Sequence, residues 1–100
     1  MDYKVILSPR AIQDLQEIVR YIAWDSPNDA ERFGNKLLSK AQSLSFLPER
    51  GRAVPEFKDP QIRELILKSY RIVYRVKSAE RVMEISRFWH AAQGAIGNLI

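Results

Sequence analysis

Four polar side chains in the second half of the chain are of the types that act in acid-base and phosphate chemistry. His90 has the one side chain whose ordinary pKa lies near neutrality, so it is the best general acid or base in the sequence. Arg71 and Arg75 lie two pleats apart if they share a strand, a spacing that lets two guanidiniums address successive anionic groups. Glu56 would act as a base if nearby cations hold it ionised. The four residues fit a site for a phosphate-containing substrate.

The same side chains also have structural interpretations. His90 would form a hydrogen bond at the end of a strand, and Glu56 would be a solvated loop residue. The two arginines would form salt bridges with Glu64, with Glu84 or with acidic groups of a partner. Residue types and spacing leave both interpretations open.

Two helices are predicted in the first half of the chain, after a short strand at residues 3–7. A serine followed by a proline marks the start of each helix, because serine caps a helix and proline fits its first turn. Apolar residues then recur at helical spacing, which predicts helices over residues 9–24 and 27–47, the second ended by Pro48. The short link between them predicts an antiparallel hairpin. Trp24 falls just off the first apolar stripe and is expected to complete the core or its rim.

Three strands are predicted in the second half, after a proline-rich loop at residues 48–61. They cover residues 62–67, 70–77 and 81–89, and their short links indicate an antiparallel meander. The predicted fold is therefore α+β, with the order β-α-α-β-β-β and the helical hairpin on one face of a mainly antiparallel twisted sheet. Residues 91–100 are predicted to form a short turn or tail. Strand alternation places four polar residues on the open face of the sheet: Arg71, Arg75, Ser86 and His90.

Length and composition narrow the classes of protein that this chain represents. Its 100 residues suit one domain spanning 1–100, with 46% apolar and 28% charged residues. The chain has no cysteine and one histidine, which argues against disulfides and metal sites, and we expect no cofactor. No apolar run is long enough for a signal peptide or a membrane span, so a cytoplasmic protein without membrane partners is expected.

The net charge of +4 is unevenly distributed along the chain. Residues 1–47 hold six basic and six acidic side chains, whereas residues 48–100 hold ten basic and six acidic ones. This bias predicts an acidic or phosphate-rich partner for the second half. A mixed, solvated surface is the alternative explanation.

Several phrases, taken in order, resemble the RelE/ParE superfamily of bacterial toxins from toxin-antitoxin pairs. The resemblance covers nearly the whole chain. The phrases are Leu7-Ser8-Pro9-Arg10-Ala11 with Asp14-Leu15, Pro48-Glu49-Arg50-Gly51-Arg52 with Val54-Pro55-Glu56-Phe57, Ile62-Arg63-Glu64-Leu65, Tyr70-Arg71-Ile72-Val73-Tyr74-Arg75-Val76, and finally Arg87 and His90.

The resemblance implies a toxin that an antitoxin holds inactive and that stress or plasmid loss releases. An acidic or amphipathic segment of the antitoxin would cover the basic face of the toxin. RelE-like members cleave mRNA in the ribosomal A site, whereas ParE-like members poison DNA gyrase and need no catalytic residues. A third possibility is a domain that has lost toxicity and acts as a binding partner or co-repressor with its antitoxin.

For the nuclease, the resemblance assigns a metal-independent mechanism to Glu56, Arg71 and His90. Glu56 would take the proton from the ribose 2′-OH, Arg71 would stabilise the phosphate, and His90 would protonate the leaving 5′-oxygen. This acid-base logic places the ribosome-dependent endoribonuclease ahead of gyrase inhibition. Three further cations would hold the flanking RNA backbone: Arg63, Lys68 and Arg75. Substitution Arg71→Ala is expected to abolish growth inhibition and leave the fold intact.

Overall fold

The computed structural model describes residues 2–97, and within them two α-helices lie against a five-stranded sheet. The bounds are β1 (Lys4–Leu7), α1 (Pro9–Ala23), α2 (Pro27–Gln42), β2 (Arg52–Ala53), β3 (Ile62–Leu67), β4 (Tyr70–Lys77) and β5 (Val82–His90). Short 3₁₀ turns follow α2 at Ser43–Ser45 and β5 at Ala91–Gln93. The predicted α+β class and helical hairpin on a mainly antiparallel sheet are confirmed. The predicted tail extends to residues 98–100, which lie outside the described residues.

The sheet has the strand order β1-β5-β4-β3-β2. β1 runs parallel to β5, and the other neighbouring strands are antiparallel. β2 lies inside the segment predicted as a loop, where Arg52 pairs with Glu64 of β3. Two residues are too few to produce an alternating pattern, so this strand could not be predicted from the sequence.

Both helices begin where the sequence predicts. The hydroxyl of Ser8 accepts a hydrogen bond from the amide of Ala11, and that of Ser26 accepts one from Asp29. Each cap satisfies an amide that has no partner within the helix. The first turn of each helix is therefore fixed by local sequence.

The second helix ends earlier than the apolar pattern predicts. After Gln42 the chain tightens into the 3₁₀ turn, which keeps Leu44 fully buried but leaves Phe46 and Leu47 71% and 62% exposed. A 3₁₀ turn has about three residues per turn, so it continues an i, i+3 apolar spacing that resembles that of a helix. The prediction for Trp24 is also wrong, because its side chain is 90% exposed at the end of α1.

Apolar cores form on both faces of the sheet, rather than on the helical face alone. The larger core lies between the sheet and the helices and includes Leu37, Ile72 and Ile85. The second core lies on the opposite face, where β2 to β4 meet the C-terminal segment. Its buried members are Val54, Ile62, Val73 and Ile96, with Phe57 and Trp89 packed against them. The face predicted to be open is therefore largely covered by the chain itself.

A β-bulge changes the phase of β5. Val73 pairs with Arg87, but the next residue of β4, Tyr74, pairs with Ile85, so Ser86 is an extra residue in β5. Beyond Ser86, Phe88 and His90 therefore lie on the helical face and Trp89 lies against the second core, which is the reverse of simple alternation. Within residues 2–97, no helix has both the length and the apolar character needed to cross a membrane.

Candidate functional site

Arg71 is the centre of an ion-pair network on the second face of the sheet. Its Nη1 and Nη2 each donate a hydrogen bond of 2.7 Å to the carboxylate of Glu56, and its Nε donates to Glu64. The side chain of Arg71 is 12% exposed. All three guanidinium nitrogens therefore already have carboxylate partners.

Glu64 is the buried anchor of this network. Its side chain is 0% exposed, and its second oxygen accepts a 2.7 Å hydrogen bond from Nε of Arg52. Two arginines thus neutralise one buried carboxylate, which offsets the cost of removing its charge from water. The salt bridge between Arg71 and Glu64 is the structural alternative that the sequence left open.

Glu56 is held ionised by its contact with Arg71. Its hydrogen bonds with Arg71 are the main cause that lowers the pKa of Glu56 to about 2, against an ordinary value of 4.5. In return, the Glu56 carboxylate raises the pKa of Arg71 above its ordinary value. Glu56 also accepts a 3.1 Å hydrogen bond from the amide of Ile96, so it joins the loop before β3 to both β4 and the C-terminal segment.

His90 lies away from this network, on the helical face of the sheet. It pairs across the strands with Tyr70, and the two rings meet edge to face with centroids 4.8 Å apart. Trp89 is the residue paired with Arg71, because the bulge at Ser86 reversed the phase of the strand. His90 Nδ1 accepts a 3.0 Å hydrogen bond from the amide of Ala92, which fits the structural role of a strand-end histidine.

The three additional cations are dispersed as well. Arg75 shares the second face with Arg71 and lies 3.5 Å from the carboxylate of Asp59. Arg63 pairs with Tyr74 on the helical side and donates a 2.9 Å hydrogen bond to the carbonyl of Gly51. Lys68 occupies the turn between β3 and β4 and lines a cleft beside α2. Of the six predicted site residues, Glu56 and Arg71 are in direct contact, and Arg75 lies on the same face of the sheet with a different partner.

A buried ion pair joins α1 to β5. The sequence patterns did not predict it. Arg87 donates two hydrogen bonds to Asp14, at 2.7 and 3.0 Å, and the amide of Phe88 donates a third at 3.0 Å. β1 pairs with β5 only as far as Ile85, and these bonds cover the edge of β5 that continues past that point. A sequence signal was present, since Asp14 shares a helical stripe with the buried residues Ala11 and Ile18.

The arrangement around Arg71 joins parts of the fold and does not present a free cation. To bind a phosphate, Arg71 would have to exchange two charge-assisted contacts for new ones. In the part of the chain that the structure describes, no three His, Cys, Asp or Glu side chains are gathered closely enough to hold a metal ion.

Most of the chain is similar to bacterial toxins. The family model described as "ParE toxin of type II toxin-antitoxin system, parDE" matches residues 5–94. Two relatives come from Caulobacter vibrioides. Toxin RelE2 is 37% identical over 90% of this chain and 97% of its own length, and Toxin RelE1 is 29% identical over 93% and 98%.

The fold also matches a solved structure of a toxin-antitoxin pair. The structure titled "Chromosomal ParDE TA system from P. aeruginosa" aligns with a TM-score of 0.72 and 21% identity, over 88% of this chain and 95% of the other. At that identity the likeness concerns the fold alone, whereas the family model covers most of the sequence. The chain therefore belongs to the ParE toxin family, within the RelE/ParE toxins of type II toxin-antitoxin systems.

Proposed function

We propose that this toxin acts in the ParE-like manner, by binding and inhibiting DNA gyrase without catalysing a reaction of its own. The observation that carries the proposal is the closed network around Arg71, whose three nitrogens all donate to Glu56 and Glu64. A nuclease built on the predicted set would need Arg71 available to the phosphate and His90 beside it. His90 instead packs on Tyr70, across the sheet from the network.

The electrostatics of Glu56 also favour a binding protein over a nuclease. A general base works best when its pKa lies near the pH at which the enzyme operates. The pKa of Glu56 is lowered to about 2, because Arg71 stabilises its ionised form. Such a carboxylate is a weak base at neutral pH and is better suited to holding the fold together.

The exposed aromatic residues of α1 support a protein target. Tyr21 is 81% exposed and Trp24 is 90% exposed near the turn between the two helices. Aromatic side chains are enriched at protein interfaces, because they contribute a large apolar area together with a polar group. In this proposal the partners are gyrase and a cognate antitoxin with an acidic or amphipathic segment, and the toxin acts in the cytoplasm.

His90 provides the variant that separates the two mechanisms. Substitution His90→Asn removes the acid-base group but keeps a side-chain acceptor for the amide of Ala92. We expect the purified variant to inhibit gyrase supercoiling and to trap cleavage complexes as the wild-type toxin does. Thermal unfolding of both proteins checks that they are equally folded.

The same two proteins are then added to a cell-free translation reaction, and mRNA ends are mapped by primer extension. Translation-dependent cuts by the wild type that disappear in His90→Asn would support the ribosome-dependent endoribonuclease and refute gyrase inhibition. Growth inhibition without mRNA cuts, together with gyrase inhibition, would support the proposal. Absence of growth inhibition in cells would indicate the non-toxic binding domain instead.

A further inference from the structure

A basic cleft runs between α2 and the end of the β3–β4 hairpin, away from the network around Arg71. It consists of two adjoining hollows of about 480 and 300 Å³, which share Arg32 and Lys36. Its basic side chains come from helix α2, the loop after it and the hairpin turn. They are Arg32, Lys36, Lys40, Arg50 and Lys68.

Several cations without an acidic partner among the described residues are gathered in this cleft. One carboxylate, Asp29, lines it, and that group pairs with Arg32 at 3.1 Å. Within residues 2–97, the other four cations have no carboxylate within 4 Å. The cleft thus carries four net positive charges, equal to the formal net charge of the whole chain. By contrast, Arg52, Arg71 and Arg75 on the second face all have acidic partners.

The spacing of the cations along α2 forms a linear array. Arg32, Lys36 and Lys40 follow one another at intervals of four residues, so they lie on one helical face about 6 Å apart along the axis. Like charges at this spacing repel one another and slightly destabilise the helix. A polyanion lying along the helix would remove that repulsion.

The lining of the cleft favours phosphates over an acidic peptide. Asn35, Ser39 and Ser43 stand among the cations, and such polar side chains commonly contact the phosphates of nucleic acids. Arg50 is already oriented, because its Nη1 donates a 2.8 Å hydrogen bond to the hydroxyl of Ser43. Leu67 lines the larger hollow, and Ile22 and Phe33 line the smaller one, so these are the apolar side chains that an amphipathic peptide would contact.

We infer that this cleft binds the phosphate backbone of a nucleic acid strand, without reading its bases. Within the described residues no aromatic side chain lines the larger hollow, so base stacking is not provided there. Phe33 lines the smaller hollow, and its ring packs on that of Tyr70 with centroids 5.4 Å apart. The inference goes beyond the proposed function, because the cleft is a second binding surface. Its binding of phosphates does not depend on whether gyrase or the ribosome is the target. Both of those targets contain or bind nucleic acid.

The test measures binding of the full-length toxin to a fluorescein-labelled 20-nucleotide RNA and to the DNA strand of the same sequence. Fluorescence anisotropy is recorded over a series of salt concentrations. Four phosphate contacts to a single strand predict a slope of about −3 for log K against log salt. The relative affinities of RNA and DNA then identify the preferred source of the phosphates.

A double variant and a matched control locate the site. Lys36→Gln with Lys40→Gln removes two cleft charges with little effect on helix propensity, and we expect the slope to become shallower by about 1.4. Lys4→Gln with Lys58→Gln lowers the net charge equally at exposed sites elsewhere, and we expect its slope to match the wild type. Circular dichroism confirms that both variants are folded.

Three results would overturn the inference. One is wild-type toxin that shows no salt-dependent binding to either strand. The second is an equal loss of binding in both double variants, which would indicate a general effect of net charge. The third is a cleft variant that binds nucleic acid normally but loses affinity for the antitoxin, which would make the cleft a peptide site.

Discussion

The substitution Glu56→Gln tests the ionic contact between Glu56 and Arg71. Glutamine keeps one oxygen that can accept the hydrogen bonds from the amide of Ile96 and from Nη1 of Arg71. Its amide nitrogen cannot accept the bond from Nη2 of Arg71, so the change removes the charge together with one hydrogen bond. The pKa of Glu56 lies at about 2 rather than at its ordinary 4.5, and each pKa unit corresponds to about 1.4 kcal/mol. The ionic contact therefore contributes at most about 3 kcal/mol to the free energy of unfolding. Solvent screening at this partly exposed pair reduces that contribution to about 1–2 kcal/mol.

The pH dependence of this loss has a defined sign. The folded-state pKa of Glu56 is below its unfolded value, so the contribution is fully present above about pH 4.5 and is lost as the pH falls towards 2. Urea unfolding at pH 7, 5, 4 and 3 should show a wild-type advantage that is constant from pH 7 to 5. That advantage should fall by about half at pH 3.

A control separates this effect from the loss of any surface charge. Glu80 is exposed in the turn before β5, and Glu80→Gln should leave the free energy of unfolding within about 0.5 kcal/mol of the wild type at every pH. If Glu56→Gln is as stable as the wild type at pH 7, Arg71 does not depend on Glu56. A difference that persists unchanged at pH 3 would also refute the electrostatic explanation.

Three further substitutions test the contacts that hold the fold together. Asp14→Asn should cost about 3–5 kcal/mol in chemical denaturation because it leaves the buried Arg87 without its counter-charge, and an unchanged midpoint would contradict a buried ion pair. Tyr74→Phe removes the acceptor of the Gly51 amide, so we expect a loss of about 1–3 kcal/mol together with faster amide exchange at Gly51. Ile96→Ala opens the second core and should cost about 2–5 kcal/mol, and a cost below 0.5 kcal/mol would show that the C-terminal segment is not packed there.

The network also corrects the expectation for Arg71→Ala. Arg71 points away from the helices, but it is not a free surface residue, because it neutralises the buried Glu64. Its removal would leave that carboxylate with Arg52 as its one remaining cationic partner among the described residues. Loss of toxicity in Arg71→Ala would therefore report instability as readily as loss of a catalytic group, which is why His90→Asn is the better test.

The helices and the order of the strands were predictable because their signals are local. The serine caps act within three residues, and the alternation along β4 correctly assigned Ile72, Tyr74 and Val76 to the helical core. Family resemblance extended this to the whole fold. The same local patterns also indicated the salt bridge between Arg71 and Glu64 as one of two alternatives.

The composition of the candidate site depended on tertiary structure. Simple alternation placed His90 beside Arg71, but one extra residue at Ser86 moved it to the opposite face. A bulge depends on the pairing between strands, and the local sequence of β5 does not predict it.

The sequence by itself determined the family, the two capped helices, the strands β3 to β5 and the supply of cations. Only the tertiary structure decided which cations are neutralised. The ten basic residues of the second half are largely paired with carboxylates brought in from other elements, and Asp14 and Arg87 meet across 73 positions of the chain. Four cations that lack a carboxylate partner within residues 2–97 meet instead in the cleft beside α2, two from the helix (Lys36 and Lys40) and two from the second half of the sequence (Arg50 and Lys68). Charge counts along a chain ignore which side chains fold against one another, and ion pairing depends on that proximity in space.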